Sequence, residues 1–206
     1  MENNNIHKSL DRTPNTLGVI LSGGASTRFN GNDKGLQIYQ EKPLIQWVID
    51  SFTQQVNEVV ICINRNKNKY EEFSSPLVFD SDKTYQGPIA GIISAIEHCS
   101  TLDTHAQIEQ LLISSCDTPL LPTDYLQKLN QALASNNYLV VVANDGTRNQ
   151  NLHCLIKKEA WQSLIDFYEN GGRAMHRWYK KIGVLEVDFS EQADCFLNIN
   201  SADQLP

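Results

Sequence analysis

The sequence lacks the features typical of disulfide-stabilised, zinc-binding and membrane-spanning proteins. Its five cysteines are scattered and never form a Cys-x-x-Cys pair, so neither a disulfide framework nor a zinc site is indicated. No apolar run approaches the roughly 18 residues that a membrane span needs. We therefore expect buried, small apolar cysteine side chains in a reducing cytosol, at Cys62, Cys99, Cys116, Cys154 and Cys195.

A secretory signal is also missing, because residues 1–15 form a polar leader without an apolar stretch. The protein is expected to be cytoplasmic. Hydrophobic residues make up 41% and charged residues 20% of the 206 positions, as in ordinary globular domains. A chain of this length can build a core without disulfides or a structural metal, and we predict one domain over residues 16–206.

Positive charge is not in excess either, because the formal net charge is −7. This balance argues against a general polyanion binder, so neither nucleic acid nor a membrane is expected as a partner. A small anionic ligand can still be held by backbone N–H groups, one or two cations and a metal ion. The search is therefore for a local site.

Short apolar runs alternate with segments of helical periodicity along the whole chain. This alternation predicts an α/β fold with a mostly parallel central sheet, which the second half of the chain continues. The predicted strands are residues 17–21, 56–63, 76–79, 110–114, 138–143, 152–156 and 183–189. The predicted helices are residues 44–52, 88–98, 122–133, 159–168 and 173–180.

A glycine loop follows the first predicted strand, at Ser22-Gly23-Gly24. Ligands of open α/β sheets bind beyond the carboxyl ends of the strands, and paired glycines let the backbone approach a polyphosphate closely. Arg28 and Lys34 can supply the positive charge that phosphates require. The loop matches neither the P-loop nor the dinucleotide-binding pattern, so an ordinary turn is the alternative.

Acidic residues follow two other predicted strands. Asp117 comes after a buried strand and precedes Thr118-Pro119, so its carboxylate suits Mg²⁺; capping of the next helix is the alternative. Asp80 can either bind nucleotide or merely end its strand, and Asp82 can take either role.

Three segments taken together resemble the molybdenum cofactor guanylyltransferases. They are residues 21–35 (LSGGASTRFNGNDKG), 87–92 (GPIAGI) and 116–122 (CDTPLLP), and their order and spacing also fit. The likeness runs from about Leu17 to the C-terminus. The resemblance implies a Rossmann-like nucleotidyltransferase fold, a GT-A-like three-layer sandwich.

The resemblance also implies roles for individual residues. It places GTP on the first loop, at Leu21, Ser22, Gly23 and Gly24, with Lys34 as the phosphate-binding lysine. It further implies a nucleotide-binding role for Asp80, a shared Mg²⁺ and nucleotide role for Asp117, and a position near the phosphates or the pterin for Asn198 and Asn200.

The chain departs from the family pattern at several positions. Cys62 stands where the family often has Asn, and a thiol cannot replace a paired amide donor and acceptor. Base recognition there must use the backbone or Asn64. Glu41 replaces a usual Gly, and Asn151 replaces a Pro after Arg148.

The late basic segment, residues 171–178, resembles the part of the family that faces the pterin. Arg148 and Arg173 are the candidate pterin-side cations, with Trp178 as a flat neighbour. An ordinary amphipathic helix with a solvated basic face is the alternative. His176 is expected to be a surface or core residue without a catalytic role.

The implied reaction joins GMP from GTP to the terminal phosphate of molybdopterin or Mo-molybdopterin and releases pyrophosphate. It needs no side-chain nucleophile, so Arg28, Lys34 and Mg²⁺ on Asp117 would act by alignment and charge neutralisation. Molybdoenzymes and other cofactor-biosynthesis proteins are the expected partners.

Three alternatives stay open: a molybdopterin cytidylyltransferase, another small-molecule nucleotidyltransferase, and a non-catalytic carrier of the pterin cofactor. Sugar-phosphate enzymes commonly have a late metal-binding acid where this chain has Asn198 and Asn200. A carrier is expected to have lost Lys34 or Asp117, and both are present.

Overall fold

A seven-stranded sheet forms the centre of the protein. The computed structural model describes residues 13–23, 33–79, 87–101 and 107–199, with side chains from Thr16 onward. The strands of the sheet are β1 (Thr13–Leu21), β4 (Val56–Ile63), β5 (Leu77–Phe79), β6 (Gln110–Ser115), β7 (Val140–Asn144), β8 (Asn149–Lys157) and β9 (Leu185–Asp188). A separate hairpin consists of β2 (Ile38–Tyr39) and β3 (Lys42–Pro43).

The strand order is β5-β4-β1-β6-β8-β7-β9. β1 pairs in parallel with β4 and with β6, and β4 pairs in parallel with β5. β8 runs antiparallel to both of its neighbours, while β7 and β9 pair in parallel. The predicted mostly parallel sheet is confirmed, and strands from both halves of the chain belong to it.

Six α-helices connect these strands in the described part of the chain. They are α1 (Leu44–Thr53), α2 (Lys67–Tyr70), α3 (Pro88–Thr101), α4 (Tyr125–Ala134), α5 (Trp161–Glu169) and α6 (Met175–Ile182), with 3₁₀ turns at Lys34–Leu36, Lys158–Ala160 and Ser190–Phe196. The five predicted helices are confirmed, although α4 begins three residues later than predicted and β1 begins four residues earlier. None of the helices in the described ranges has the length and apolar character of a membrane span.

Apolar side chains lie on both faces of the sheet. In β1, Leu17, Val19 and Leu21 point to one face, and Ile20 points to the other. Helices α3, α5 and α6 cover the first face, and α1 and α4 cover the second. Strands buried on both faces are continuous apolar runs in sequence, which is why they were recognisable. The three-layer sandwich is confirmed.

The order of the strands changes direction at β1, because successive strands are added first on one side of β1 and then on its other side. The chain passes from β1 to β4 and β5 on one side, and then crosses to β6 on the other side of β1. In open α/β sheets this arrangement leaves a crevice at the carboxyl ends of the two diverging strands. The loops after β1 and β6 therefore border the position where a ligand is expected.

Tyr125, the first residue of α4, links that helix to the sheet. Its side chain is fully buried, and its hydroxyl donates to the carbonyl of Ile113 in β6 at 2.9 Å. Its ring contacts Phe189 and Phe196, whose centroids lie 6.0 and 6.2 Å away. Burial raises the pKa of the Tyr125 hydroxyl, so this group stays a protonated donor.

Replacement of Tyr125 by Phe should lower the free energy of unfolding by about 1–2 kcal/mol, because one buried hydrogen bond is lost while the packing is kept. Urea unfolding followed by circular dichroism measures the change. Tyr138→Phe, which removes an exposed hydroxyl, is the matched control and should leave stability within about 0.5 kcal/mol. Equal stabilities of both variants would contradict the assigned role of Tyr125.

Candidate active site

Backbone hydrogen bonds hold together the ends of the three strands that border the crevice. The N–H of Ser22 donates to the carbonyl of Cys62 at 2.9 Å, and the N–H of Cys116 donates to the carbonyl of Leu21 at 3.1 Å. These bonds extend the sheet beyond β1 and β6. The structure thus brings together two of the loops predicted to form one site, those after β1 and β6, whereas the loop with Asp80 lies outside the described ranges. Since the Ser22 amide is used within the sheet, the loop can offer amides to a phosphate only from Gly23 onward.

The Ser22 hydroxyl lies in a buried polar cluster next to Gly35. It is 2.7 Å from the hydroxyl of Tyr70. A Cβ atom at Gly35 would lie 2.6 Å from Ser22 Oγ and 3.3 Å from Cys116 Sγ, so only glycine permits this approach. Burial raises the pKa of the Cys116 thiol to about 12, so this cysteine is not a nucleophile at neutral pH.

Lys34 and Asp117 form an ion pair across the crevice, between Lys34 Nζ and Asp117 Oδ2. The turn that carries Lys34 is itself anchored by Asp33, whose carboxylate accepts from Arg65 Nε at 2.9 Å and from Asn66 Nδ2 at 2.8 Å. Asp33 is buried, and it is fixed to the segment after β4. The predicted catalytic lysine is therefore positioned by the loops of β4 and β6 together.

Asp117 is held by neighbours of its own segment. Its Oδ1 accepts a hydrogen bond from the Ser115 hydroxyl and lies 3.5 Å from Thr118 Oγ1. The Asp117 carbonyl accepts from the N–H of Ile199 at 3.0 Å. Helix α4 begins only at Tyr125, with Asp124 as the preceding residue. The alternative role of Asp117 as a helix cap is therefore wrong.

Thr118 connects Asp117 to Asn198 and to His153. Thr118 Oγ1 lies 3.2 Å from Asn198 Oδ1 and 2.9 Å from His153 Nε2. Burial lowers the pKa of His153 to about 4, so the imidazole is neutral at pH 7. Thr118 is fully buried, so Thr118 and His153 cannot act as an accessible nucleophile and base. Sequence reasoning missed His153, because a single histidine in an apolar strand carries no motif.

Asn64 lies beside the glycine loop. A Cβ atom at Gly23 would be 3.2 Å from Asn64 Nδ2. The Oδ1 atom of Asn64 is buried and has no hydrogen-bond partner among the described residues. Cys62, by contrast, is directed away, since its thiol donates to the carbonyl of Gly91 in α3 at 3.2 Å. The Asn64 amide therefore leaves a buried acceptor beside Gly23, two residues after Cys62.

The two candidate pterin-side arginines make local contacts. Arg148 lies in the exposed turn between β7 and β8, at the same edge of the sheet, with its Nε 3.9 Å from Asp145 Oδ2. Arg173 Nη1 donates to the carbonyls of Tyr168 and Gly172 at 2.6 and 2.7 Å. Its guanidinium carbon lies 4.0 Å from the centroid of the Tyr168 ring.

The expectation that Trp178 is a flat neighbour of the pterin is wrong. Its side chain is fully buried under α6, and its Nε1 donates to Ser163 Oγ at 3.2 Å. The same helix exposes His176, Arg177, Lys180 and Lys181, as the amphipathic alternative predicted. The Trp178 indole lies on the buried face of α6, so it cannot contact a ligand.

Several predicted residues lie outside the described ranges. They are Gly24, Arg28, Asp80, Asp82 and Asn200. The roles assigned to them stay predictions. Among the cysteines, the expected burial is confirmed for Cys62, Cys99, Cys116 and Cys154, while Cys195 is half-buried, and all five are free thiols.

The fold and the site together define the class of the protein, a nucleotide-binding α/β protein. Ser22 and Gly23 at the end of β1 lie close to the segment with Lys34 and Asp117, at the crevice of an open, mostly parallel sheet, an arrangement suited to binding the phosphates of a nucleotide.

Comparison with known proteins narrows the class to a family. The chain belongs to the MobA-like NTP transferase domain family, which matches residues 18–183. A protein of Shewanella loihica named molybdenum cofactor guanylyltransferase is 38% identical over 93% of this chain and 94% of its own length. One of Shewanella sediminis with the same name is 39% identical over 90% of this chain and 91% of its own.

The fold is shared with solved structures. The crystal structure of molybdopterin-guanine dinucleotide biosynthesis protein A from Archaeoglobus fulgidus superposes with a TM-score of 0.72 at 19% identity. The match covers 91% of this chain and 93% of that chain. The predicted nucleotidyltransferase fold is thereby confirmed.

The depressed pKa of His153 predicts a pH dependence of stability. Between pH 6.5, its ordinary pKa, and about 4, the unfolded state binds a proton that the folded state rejects. The free energy of unfolding should therefore fall as the pH drops through this window, by on the order of 3 kcal/mol in total from this residue.

Urea unfolding at pH 7.5 and pH 5 compares wild type with His153→Gln, which should show a smaller loss at pH 5. His176→Gln removes an exposed histidine and should behave as wild type. An equal loss in wild type and His153→Gln would show that His153 titrates normally.

Proposed function

We propose that the protein transfers GMP from GTP to the terminal phosphate of molybdopterin or Mo-molybdopterin, releasing pyrophosphate and forming the guanine dinucleotide cofactor. The name of the Shewanella relatives supports this choice of substrates. The observation that carries the proposal is the Lys34–Asp117 pair, which lies where the strand order reverses and beside the glycine loop. We also infer that molybdoenzymes or cofactor-biosynthesis proteins receive the product.

Mg²⁺ fits the residues around Asp117. The Asp117 carboxylate accepts a hydrogen bond from the Ser115 hydroxyl and lies 3.5 Å from Thr118 Oγ1, and its own oxygens are the hard donors that Mg²⁺ prefers. Within the described ranges, no group of three or more His, Cys, Asp or Glu could hold a metal. Mg²⁺ commonly binds through one or two carboxylates together with substrate phosphates. Asp117 is therefore the protein ligand that we propose.

When bound there, Mg²⁺ would neutralise phosphate charge and favour departure of pyrophosphate. The attacking phosphate of molybdopterin is ionised at neutral pH, so no side chain has to remove a proton. Lys34 would contribute its ammonium group to the phosphates, and the amides from Gly23 onward would hold them close to the sheet. Catalysis then consists of alignment and charge compensation at a site prepared before the substrates arrive.

Asn64 is our proposed contact to the base. Guanine presents N–H donors on its pairing edge, and the buried Asn64 Oδ1 is an acceptor that lacks a partner among the described residues. Buried polar atoms are rarely left unsatisfied, because the lost solvation costs about 1–3 kcal/mol. A donor from the nucleotide would remove that cost, and cytosine offers a different pattern of groups.

Asp117→Asn should reduce turnover roughly 100-fold or more, because the amide keeps the shape of the side chain but loses the charge that holds Mg²⁺. Formation of the dinucleotide and of pyrophosphate from GTP, Mg²⁺ and molybdopterin measures the effect. Asp166→Asn, on the exposed face of α5, is the control and should retain wild-type turnover. Wild-type rates with Asp117→Asn would remove Asp117 from the mechanism, and wild type without any guanylyl transfer would refute the proposed function.

Asn64→Ala should reduce the preference for GTP over CTP about tenfold, because about 1.4 kcal/mol of base recognition disappears. Ratios of kcat/KM for the two nucleotides measure this preference. Asn68→Ala changes an exposed asparagine four positions along the chain and should keep the wild-type ratio. If Asn64→Ala also keeps it, the base is recognised elsewhere; a wild type that prefers CTP would favour the cytidylyltransferase alternative.

A further inference from the structure

Thr118 has one hydroxyl proton and several neighbours that compete for it. Its oxygen lies 2.9 Å from His153 Nε2, 3.2 Å from Asn198 Oδ1 and 3.5 Å from Asp117 Oδ1. Both oxygen neighbours are acceptors, so neither can donate to Thr118. The direction of the Thr118 proton therefore depends on which nitrogen of His153 carries hydrogen.

The surroundings of His153 favour one tautomer. The imidazole is buried, and its Nδ1 has no hydrogen-bond partner among the described residues. A proton on Nδ1 would be a buried donor without an acceptor, and Nε2 would then take the only proton of Thr118 away from Asn198. With the proton on Nε2, the histidine donates to Thr118, and the Thr118 proton is available to Asn198 Oδ1 at 3.2 Å, which is nearer than Asp117 Oδ1 at 3.5 Å.

We propose that His153 is a positioning residue: its Nε2–H donates to Thr118 Oγ1, which directs the Thr118 hydroxyl to Asn198 Oδ1 and fixes the orientation of the Asn198 amide. The inference rests on the proposed function, because it assigns a task to Asn198 in that reaction. It concerns a residue in β8 that lies behind the crevice and contacts no substrate.

The fixed amide has a consequence for the reaction. With its oxygen on Thr118, Asn198 turns its NH₂ group the opposite way, as a donor of the type that phosphate oxygens accept. The neighbouring Ile199 N–H is bonded to the Asp117 carbonyl at 3.0 Å, so Asn198 also keeps a fixed place relative to the proposed metal ligand. A rotated amide would present an oxygen to an anionic substrate instead, which is repulsive.

A purely structural role is the alternative, since His153 also packs edge-on against Phe196 with ring centroids 5.4 Å apart. Two pairs of variants separate the roles. His153→Gln keeps an N–H donor near the same position, whereas His153→Leu keeps bulk and removes the donor. Thr118→Ser keeps the hydroxyl, whereas Thr118→Val keeps the shape and removes it.

Steady-state kinetics with wild type and the four variants measure kcat and the KM for molybdopterin. His153→Leu and Thr118→Val should lose roughly tenfold or more in kcat/KM for the pterin, while Gln and Ser should restore most of it. The melting-temperature shift caused by GTP and Mg²⁺ should be the same in all five proteins. Equal kcat/KM in the Leu and Gln variants, or a loss that follows the melting temperature alone, would overturn the proposal.

Nitrogen-15 NMR of the imidazole tests the hydrogen-bond direction without turnover. The wild-type protein should show a neutral His153 with the proton on Nε2, and this signal should shift in Thr118→Val. A proton on Nδ1 would overturn the proposal. Because this spectrum needs no substrate, it separates failure of the inference from failure of the proposed function, which is decided by guanylyl transfer in wild type.

Discussion

The ion pair between Lys34 and Asp117 is the interaction on which the site depends. It joins residues 83 positions apart in the chain and spans the crevice between the segments that follow β1 and β6. Both side chains are largely removed from solvent, with relative exposures of 22% and 12%, so each charge requires a partner. In the proposed reaction, Lys34 would bind the phosphates of the substrates and Asp117 would bind Mg²⁺. The ion pair thus keeps both groups in place before the substrates bind.

The rest of the architecture supports this pair from below. The Ser22 amide and the Cys116 amide prolong the sheet beneath it, and Asp33 anchors the turn that carries Lys34. Gly35 allows that turn to lie directly on Ser22. Since these contacts hold the described residues of the site in place before a ligand binds, they provide the preorganisation that catalysis by alignment and electrostatics requires.

Much of the fold could be predicted because its strands are buried on both faces and are therefore continuous apolar runs, as in residues 17–21. Asp117 could be recognised because it follows a buried strand, and Lys34 because it lies in residues 21–35, a segment that resembles the guanylyltransferase family. The Asp33 anchor and the His153–Thr118–Asn198 chain could not, because hydrogen bonds between distant segments leave no periodic signal. The expectation that Trp178 is a flat neighbour of the pterin was wrong for a related reason: helical periodicity places it on the buried face of α6, although the surrounding sequence is basic.

Binding of GTP and Mg²⁺ at the site of Lys34 and Asp117 is tested most directly by thermal stabilisation of the purified protein. The nucleotides are GTP, CTP, ATP and UTP, each with and without Mg²⁺. A ligand that binds only the folded state raises the melting temperature according to its affinity. We expect a selective shift with GTP that requires Mg²⁺ and disappears in Lys34→Ala. A shift of equal size with all four nucleotides, or none with any of them, would contradict it.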